Sequence, residues 1–253
     1  MKSIDLNCDM GELPEAVADG TQEALMPFLT SVNIACGGHA GDEAMMTTTI
    51  EQALRRGVAI GAHPGYADRE NFGRVALKLT PKAIADSVYE QIRALAAVAE
   101  RCGARVGHVK PHGALYNEAA KNTEIANAIV EGVKGWRRDV TLVGLAGSRM
   151  LEEFRAAGFP TAAEAFADRV YESDGSLRSR THKDALIDDP VAAARQALRI
   201  AEHGTVIAHD GREIAVNAQT ICIHGDTPGA ARVAEAVSAA LRNAGIALKP
   251  LGT

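Results

Sequence analysis

Side chains able to move protons or hold cations fall in short clusters along this chain, each just after an apolar run. The first is Asp5-Leu6-Asn7-Cys8-Asp9-Met10-Gly11-Glu12. Period-two alternation puts Asp5, Asn7 and Asp9 on one side of a strand. Three polar residues facing one way in a covered sheet are costly unless they bind something. Asp5 and Asn7 are equally suited to satisfying buried backbone groups, whereas Asp9 and Glu12, at the strand's end, are read as functional. The second cluster is Asn33-Ile34-Ala35-Cys36-Gly37-Gly38-His39-Ala40-Gly41-Asp42. Its glycines permit close backbone approach, and His39 and Asp42 add titratable groups to what reads as a binding loop. Asp42 is also placed to cap a following helix. Cys36 is either a nucleophile beside His39 or, more commonly for such a residue, a small buried thiol.

The third cluster is Gly61-Ala62-His63-Pro64-Gly65-Tyr66-Ala67-Asp68 with Asn71-Phe72-Gly73-Arg74 beyond it, and the fourth is His108-Val109-Lys110-Pro111-His112-Gly113-Ala114-Leu115-Tyr116-Asn117. One strand-end histidine is usually structural, but His39, His63 and His112 together argue for a shared task. Lys110, two residues before His112, points inward with it and must meet a carboxylate or an anion. In the fifth cluster, Glu164, Asp168 and Arg169, with Arg180 in the following loop, could clamp a carboxylate; a surface ion-pair network is the alternative. His224-Gly225-Asp226-Thr227-Pro228-Gly229 ends a strand and opens a helix, suited to an anion or simply to a capped turn. No G-x-x-x-x-G-K-[ST], G-x-G-x-x-G, G-x-S-x-G or H-E-x-x-H run is present, so P-loop, dinucleotide, serine-hydrolase and zincin chemistry lack support. The residues describe an acid, histidine and lysine pocket for acid/base or metal-assisted hydrolysis of a small polar molecule.

The elements positioning these clusters are short β-branched runs alternating with Ala-rich stretches, the pattern of a parallel sheet wrapped by helices. Strands are predicted at 4–8, 31–36, 58–62, 106–110, 140–145, 161–165 and 220–224. A helix over 81–102 would bury Ala85, Val88, Ile92, Leu95 and Val98. Thr80, Asp189 and Thr227, each before a proline, mark helix starts. Asp210-Gly211-Arg212 marks a hairpin within 206–219. No linker or repeat divides the chain, so residues 1–253 are read as one α/β domain, a TIM-like β/α barrel of about seven strands with its site at the strands' C-terminal ends.

The 253 residues include 47% hydrophobic ones and 27 Lys and Arg against 32 Asp and Glu, enough for a sizeable core. A net charge of -5 gives no basic footprint for nucleic acid. The charged opening lacks the apolar stretch of a signal peptide and no run could span a membrane, so a cytoplasmic protein is expected. Cys8, Cys36, Cys102 and Cys222 form no CxxC pair and are read as reduced.

In order, Asp5 to Glu12, Asn33 to Asp42, Gly61-Ala62-His63-Pro64, His108 to Asn117, Phe166-Ala167-Asp168-Arg169 and His224-Gly225-Asp226 resemble the LamB/YcsF family, nearly end to end. The resemblance implies a barrel of the glycoside hydrolase/deacetylase type and ATP-driven hydrolysis of 5-oxoproline to L-glutamate, with two partner subunits, B and C; self-association stays open. Deacetylase-like barrels bind a divalent metal through one Asp and two His, parts that would fall here to Asp9, His63 and His112. Catalytic candidates are Asp9, Glu12, His39, Asp42, Lys110, His112, Asp168 and Arg169, with Lys110 and Arg169 meeting negative charge and His39 or Glu12 moving protons. Asn7, Asn33, His63, Asn117, Arg180, His224 and Asp226 are candidates for contacting substrate or its anionic groups. Gly38 stands where many relatives carry a bulky aromatic and Glu43 where proline is common, which predicts a wider pocket. A stand-alone metal-dependent amidohydrolase or deacetylase, and a non-catalytic binding or regulatory subunit, are the competing classes.

Overall fold

The computed structural model describes residues 2–227 and 229–251. In chain order its strands are β1 (Ser3–Met10), β2 (Ser31–Ala35), β3 (Ala59–His63), β4 (Val106–Val109), β5 (Thr141–Leu145), β6 (Thr161–Phe166), β7 (Thr205–Ile207), β8 (Glu213–Ala215), β9 (Thr220–Cys222) and β10 (Ala247–Leu248). The helices are α1 (Pro14–Ala18), α2 (Glu43–Arg56), α3 (Pro81–Arg101), α4 (Gly113–Ala119), α5 (Thr123–Trp136), α6 (Arg149–Ala156), α7 (Pro190–His203) and α8 (Ala230–Asn243), with a 3-10 turn at Glu23–Phe28. Strands β1 to β6 pair in sequence, all parallel, and β9 closes the ring by pairing with both β6 and β1. The result is a seven-stranded parallel barrel wrapped by helices, as the alternation of runs predicts. β10 extends the N-terminal end of β1 through Ser3↔Ala247 and Ile4↔Leu248. The 206–219 excursion is the antiparallel pair β7 and β8, turning through Gly211 at φ 87.

Strand alternation divides the buried residues between two environments. On β1 the apolar set Ile4, Leu6, Cys8 and Met10 is buried, and so are the polar Asp5 and Asn7. The polar set faces the barrel axis, where its hydrogen bonds run to β2, β6 and β9, and the apolar set packs under the helices. The barrel interior is therefore polar, unlike the branched-aliphatic layers usual in such barrels, and the hydrophobic core lies between sheet and helices. There each fully buried Leu, Ile or Val contributes about 1.5–3 kcal/mol.

Thr80 caps α3, accepting a hydrogen bond from Ala83 N at 3.2 Å, and Asp189 caps α7. The buried stripe of α3 runs through Ile84, Val88, Ile92, Leu95 and Val98. Ile84 takes the place expected for Ala85, because Ala85 turns toward α5 and its carbonyl meets Gly132, where a Cβ would lie 2.6 Å from that oxygen. One helix start differs from expectation. α8 begins at Ala230 with Gly229 at φ 85 as its N-cap and no side-chain cap; Thr227 lies too early to cap it, its carbonyl accepting from Ala230 N, and Pro228 lies outside the described residues. No helix among the described residues is long and apolar enough to cross a membrane.

Candidate active site

The polar interior rises in layers toward the C-terminal ends of the strands. At the base, Asp5 accepts hydrogen bonds from Thr30 at 2.6 Å, Ser31 at 2.9 Å and Thr220. Burial pushes its carboxyl above the usual range. Asp5 thus stitches β1 to its two neighbours and is fully used there.

In the layer above, Asn7 Nδ2 donates to Glu164 Oε1 at 3.0 Å and Thr220 Oγ1 at 2.6 Å, while Asn33 Nδ2 donates to Asn7 Oδ1 and Asp9 Oδ1, both at 2.8 Å. His108 Nε2–H donates to Asn33 Oδ1 at 2.8 Å, which fixes the orientation of that amide. Burial, with Lys110 and His63 nearby, lowers His108 to about 4, so it stays a neutral donor. Tyr116 OH completes the layer, donating to Glu164 Oε2 at 2.8 Å.

Lys110 sits above this floor, 2% exposed. Its Nζ lies 2.9 Å from Asp9 Oδ1, 2.9 Å from Glu164 Oε1 and 3.2 Å from Cys222 Sγ. Burial opposes the charge, but Asp9, Cys222 and Glu164 outweigh it and hold the ammonium well above its ordinary range. Asp9 is correspondingly held well below the carboxylate range: burial pulls it up, and His63 and Lys110 pull it down harder. The inward lysine meets carboxylates, as the cost of an unpaired buried charge requires.

Beside the lysine network the three strand-end histidines converge with Glu12, which the turn at Gly11 (φ 71) carries over the mouth. His63 Nδ1–H donates to Lys110 O at 2.8 Å, and His112 Nε2–H donates to Phe72 O at 2.9 Å. These carbonyls assign both tautomers. The remaining nitrogens, His63 Nε2 and His112 Nδ1, face each other at 3.0 Å. Glu12 Oε1 lies 3.1 Å from His112 Nδ1, 3.8 Å from His63 Nε2 and 3.0 Å from His39 Nε2. Lone pairs aimed at one another at this range need a proton or a cation between them.

The rings of His39 and His112 stack, with centroids 3.6 Å apart and planes 2° from parallel. Burial lowers His39 to about 4, so it donates to Glu12 through Nε2–H and leaves Nδ1 buried without a partner. Asp9 and Glu12 raise His63 against the effect of burial. Gly73 seals the stack: a Cβ there would lie 2.7 Å from His39 Cβ. Phe72, the residue before it, carries the one positive φ (55°) among the described non-glycine residues. That strained conformation aims its carbonyl at His112.

Glu12, His39, His63 and His112 offer four ligand atoms within 4.8 Å of one another. The mixed nitrogen and oxygen set suits zinc or a similar borderline divalent ion, for which bonds of about 2.0–2.2 Å are usual. Charge balance points the same way, since Asp9, Glu12 and Glu164 face a single lysine here. Asp9, expected to join His63 and His112, bridges the two networks, with Oδ1 on Lys110 and Oδ2 3.3 Å from His63 Nε2. Glu12 and His39 complete the histidine group.

A cavity of about 850 Å³ opens over this floor, lined by Asp9, Glu12, His63, Lys110 and His112 together with Arg74, Arg169, Arg180, His224 and Asp226. Asn117 is exposed at its rim on α4. Asn7 and Asn33 lie beneath the cavity and spend their amides inside the barrel. Asp168 accepts from His224 N at 2.7 Å and His224 Nδ1 at 2.9 Å, so the strand-end N–H that the sequence offers to an anion is already paired. Arg74 and Arg180 both donate to Asp226 Oδ2, at 2.7 and 2.8 Å. Asp42 is not brought into the site; it is exposed at the start of α2, where its carboxylate accepts from Met45 N. Cys36 is no nucleophile, since burial pushes its thiol up to about 12. His108 and Tyr116 are site residues that the sequence does not single out, although period-two alternation from Lys110 marks His108 as inward.

The space freed by Gly38 is filled. A Cβ there would meet Gln91 Oε1 at 2.3 Å, and the Gln91 amide bonds to both Gly65 O and Gly65 N. Gln91 occupies the side-chain position, so the expected widening does not occur. Glu43, exposed on α2, pairs with Arg101 at 2.6 Å.

The LamB/YcsF family model matches residues 4–253. Among curated proteins, the A subunit of a 5-oxoprolinase from Chloroflexus aggregans is 50% identical over 249 residues, covering 98% of this chain and 99% of that protein. Among solved structures, a lactam utilization protein from Thermus thermophilus superimposes with a TM-score of 0.90 at 42% identity, over 98% of this chain and 99% of that one. A family 4 carbohydrate esterase from Streptomyces lividans shares the fold alone, with a TM-score of 0.53 at 12% identity over 99% and 93% of the two chains.

Proposed function

The chain belongs to the LamB/YcsF family, and from that premise we infer that it is the A subunit of a 5-oxoprolinase, a hydrolase that opens the cyclic amide of 5-oxoproline to L-glutamate. The observation carrying this reading is the convergence of Asp9, Glu12, His63, Lys110 and His112 on one cavity, beside relatives named for that activity. It works in the cytoplasm with B and C subunits and with ATP hydrolysis. The coupling has a chemical reason. A five-membered lactam is a stable amide, and phosphorylating its oxygen before water attacks lowers the barrier. Nucleotide is handled partly by the partner subunits or at a site here without a P-loop.

The side chains divide the work by their surroundings. Lys110 keeps its proton at neutral pH and is placed to face negative charge developing on the lactam or phosphoryl oxygen. With no cation on them, the free nitrogens of His63 and His112, with Glu12 beside them, accept a proton from attacking water and return one to the departing nitrogen. Carbonyls at Lys110 and Phe72 hold those rings in one tautomer. We include a divalent cation in the reading, held by Glu12, His39, His63 and His112. When bound, such an ion supplies Lewis acidity toward a carbonyl or a water.

The test of function is glutamate release from 5-oxoproline by the chain alone and mixed with B and C subunits, each with and without ATP. Release is expected only in the complete ATP-containing mixture. ATP-independent amide cleavage by the chain alone would overturn the assignment in favour of a stand-alone amidohydrolase. The cation is tested on chelator-treated chain titrated with Zn²⁺. One equivalent is expected by elemental analysis, with a stabilisation of about 4 kcal/mol at a thousandfold excess over Kd, lost in H63A and H112A. Absence of binding would leave the four side chains holding a proton instead.

A further inference from the structure

Arg169 stands apart from every other charged group around the cavity. It is 7% exposed, and its guanidinium donates only to backbone oxygens: Nε to Ala185 O at 3.4 Å and Nη2 to Arg178 O at 2.6 Å. Among the described residues no carboxylate forms an ion pair with it. Asp168, its neighbour in sequence, has both oxygens committed to His224. Arg180, close by, repels it and spends its own charge on Asp226, which already serves Arg74. Burial and that repulsion bring Arg169 down to about 10. The charge of Asp168 offsets part of this, but a buried guanidinium with no ion pair of its own is costly unless a ligand supplies one.

The cavity lining carries Arg74, Arg169 and Arg180 as well as Asp9 and Glu12, and Asp226 takes both Arg74 and Arg180, leaving Arg169 without an ion pair. 5-Oxoproline carries a carboxylate at one end and a neutral lactam at the other. Resting on the substrate reading above, we propose that Arg169, with Arg180 beside it, binds the substrate carboxylate, so that the lactam carbonyl points to Lys110 and the histidines. Its planar fork suits a carboxylate bidentately, which a lysine would not match. Arg169 thereby becomes the residue that selects a lactam acid over a plain lactam.

The test measures binding by calorimetry to the full chain, and turnover by the full complex, for wild type, Arg169→Gln, Arg169→Lys and Arg180→Gln. The ligands are 5-oxoproline, 2-pyrrolidinone, which is the same lactam without the carboxylate, and ATP. Arg169→Gln should weaken 5-oxoproline binding about 10- to 100-fold, raise KM in proportion and leave 2-pyrrolidinone unchanged. Arg169→Lys should keep the fold and recover part of the loss, and Arg180→Gln should show a smaller one. Equal losses for both lactams, or no loss, would reduce Arg169 to a strut for the 178–185 segment and overturn the proposal. A loss confined to ATP would move its anion to a phosphoryl group and overturn it equally. If wild type neither binds nor converts 5-oxoproline, the substrate reading itself fails, whatever the variants do.

Discussion

Lys110→Met in the assembled enzyme is expected to lower 5-oxoproline turnover by roughly a thousandfold or more and to cost the chain about 3–5 kcal/mol of stability at neutral pH. Both effects start from one ammonium held 2.9 Å from two carboxylates. Methionine fills the volume but leaves Glu164 buried without a cation and Asp9 with His63 alone. Wild-type Asp9 is depressed, so its contribution is present above the unfolded carboxylate pKa and is lost as pH falls through its folded value. Without Lys110 the pull that lowers Asp9 weakens, so the deficit should be largest near neutral pH and shrink in mild acid as Asp9 takes up a proton. Urea unfolding under the two conditions measures this. Adding Glu164→Gln should restore part of the stability and none of the activity. Turnover in Lys110→Met close to that of wild type would remove the lysine from the chemistry.

The strands and the strand-end positions of the histidines were legible because they follow from local rules. A chain covered on both faces writes apolar β-branched runs, and a barrel gathers the residues just beyond them. Which polar groups meet across the barrel was much less legible. Glu164 sits alone among small and apolar neighbours in β6, a position that demands a partner. That the partner is Lys110, two strands away around the ring, depends on closure and stagger rather than on either segment. That Glu12 and His39 join Asp9 beside His63 and His112 was hidden for a similar reason. The glycine turns at Gly11 and Gly37 decide where those loops return, and period-two counting stops at the strand end. Gln91 shows the same limit from outside the sheet. It lies on the stripe of α3 as a polar interruption, and only the packed structure reveals that it fills the space above Gly38 and holds Gly65 against the stacked imidazoles.

Arg169 and Lys110 express one economy with opposite outcomes. Both are buried cations at the C-terminal mouth. Lys110 has its counter-charges within the protein, which fixes its position before any ligand arrives, so it is suited to act on charge that develops during the reaction. Arg169 has no ion pair, only the nearby charge of Asp168, which makes it suited to charge that arrives with the substrate. The first is expected to affect kcat more than KM, the second the reverse.

Gly61→Ala is expected to be the most damaging single-methyl change in the barrel, at about 3–5 kcal/mol from overpacking together with a broken buried hydrogen bond. Gly61 and His108 are register partners on β3 and β4, and the imidazole lies across the space a side chain would take. A Cβ there would sit 2.0 Å from His108 Nε2 and 2.2 Å from Cδ2. The ring has nowhere to go, since His108 is 2% exposed. Displacing it removes the donor that orients Asn33, and with it the hydrogen bond from Asn33 to Asp9. The loss should therefore reach the lysine network, appearing as reduced turnover even in protein that still folds at low temperature. Adding His108→Ala makes room for the methyl group, so the double variant should be less damaged than the sum of the two singles by more than about 1 kcal/mol. Thermal unfolding of the four proteins in that cycle decides the matter. Additive costs, or a Gly61→Ala protein within about 1 kcal/mol of wild type, would mean that the ring can move aside and that Asn33 is oriented by its other partners.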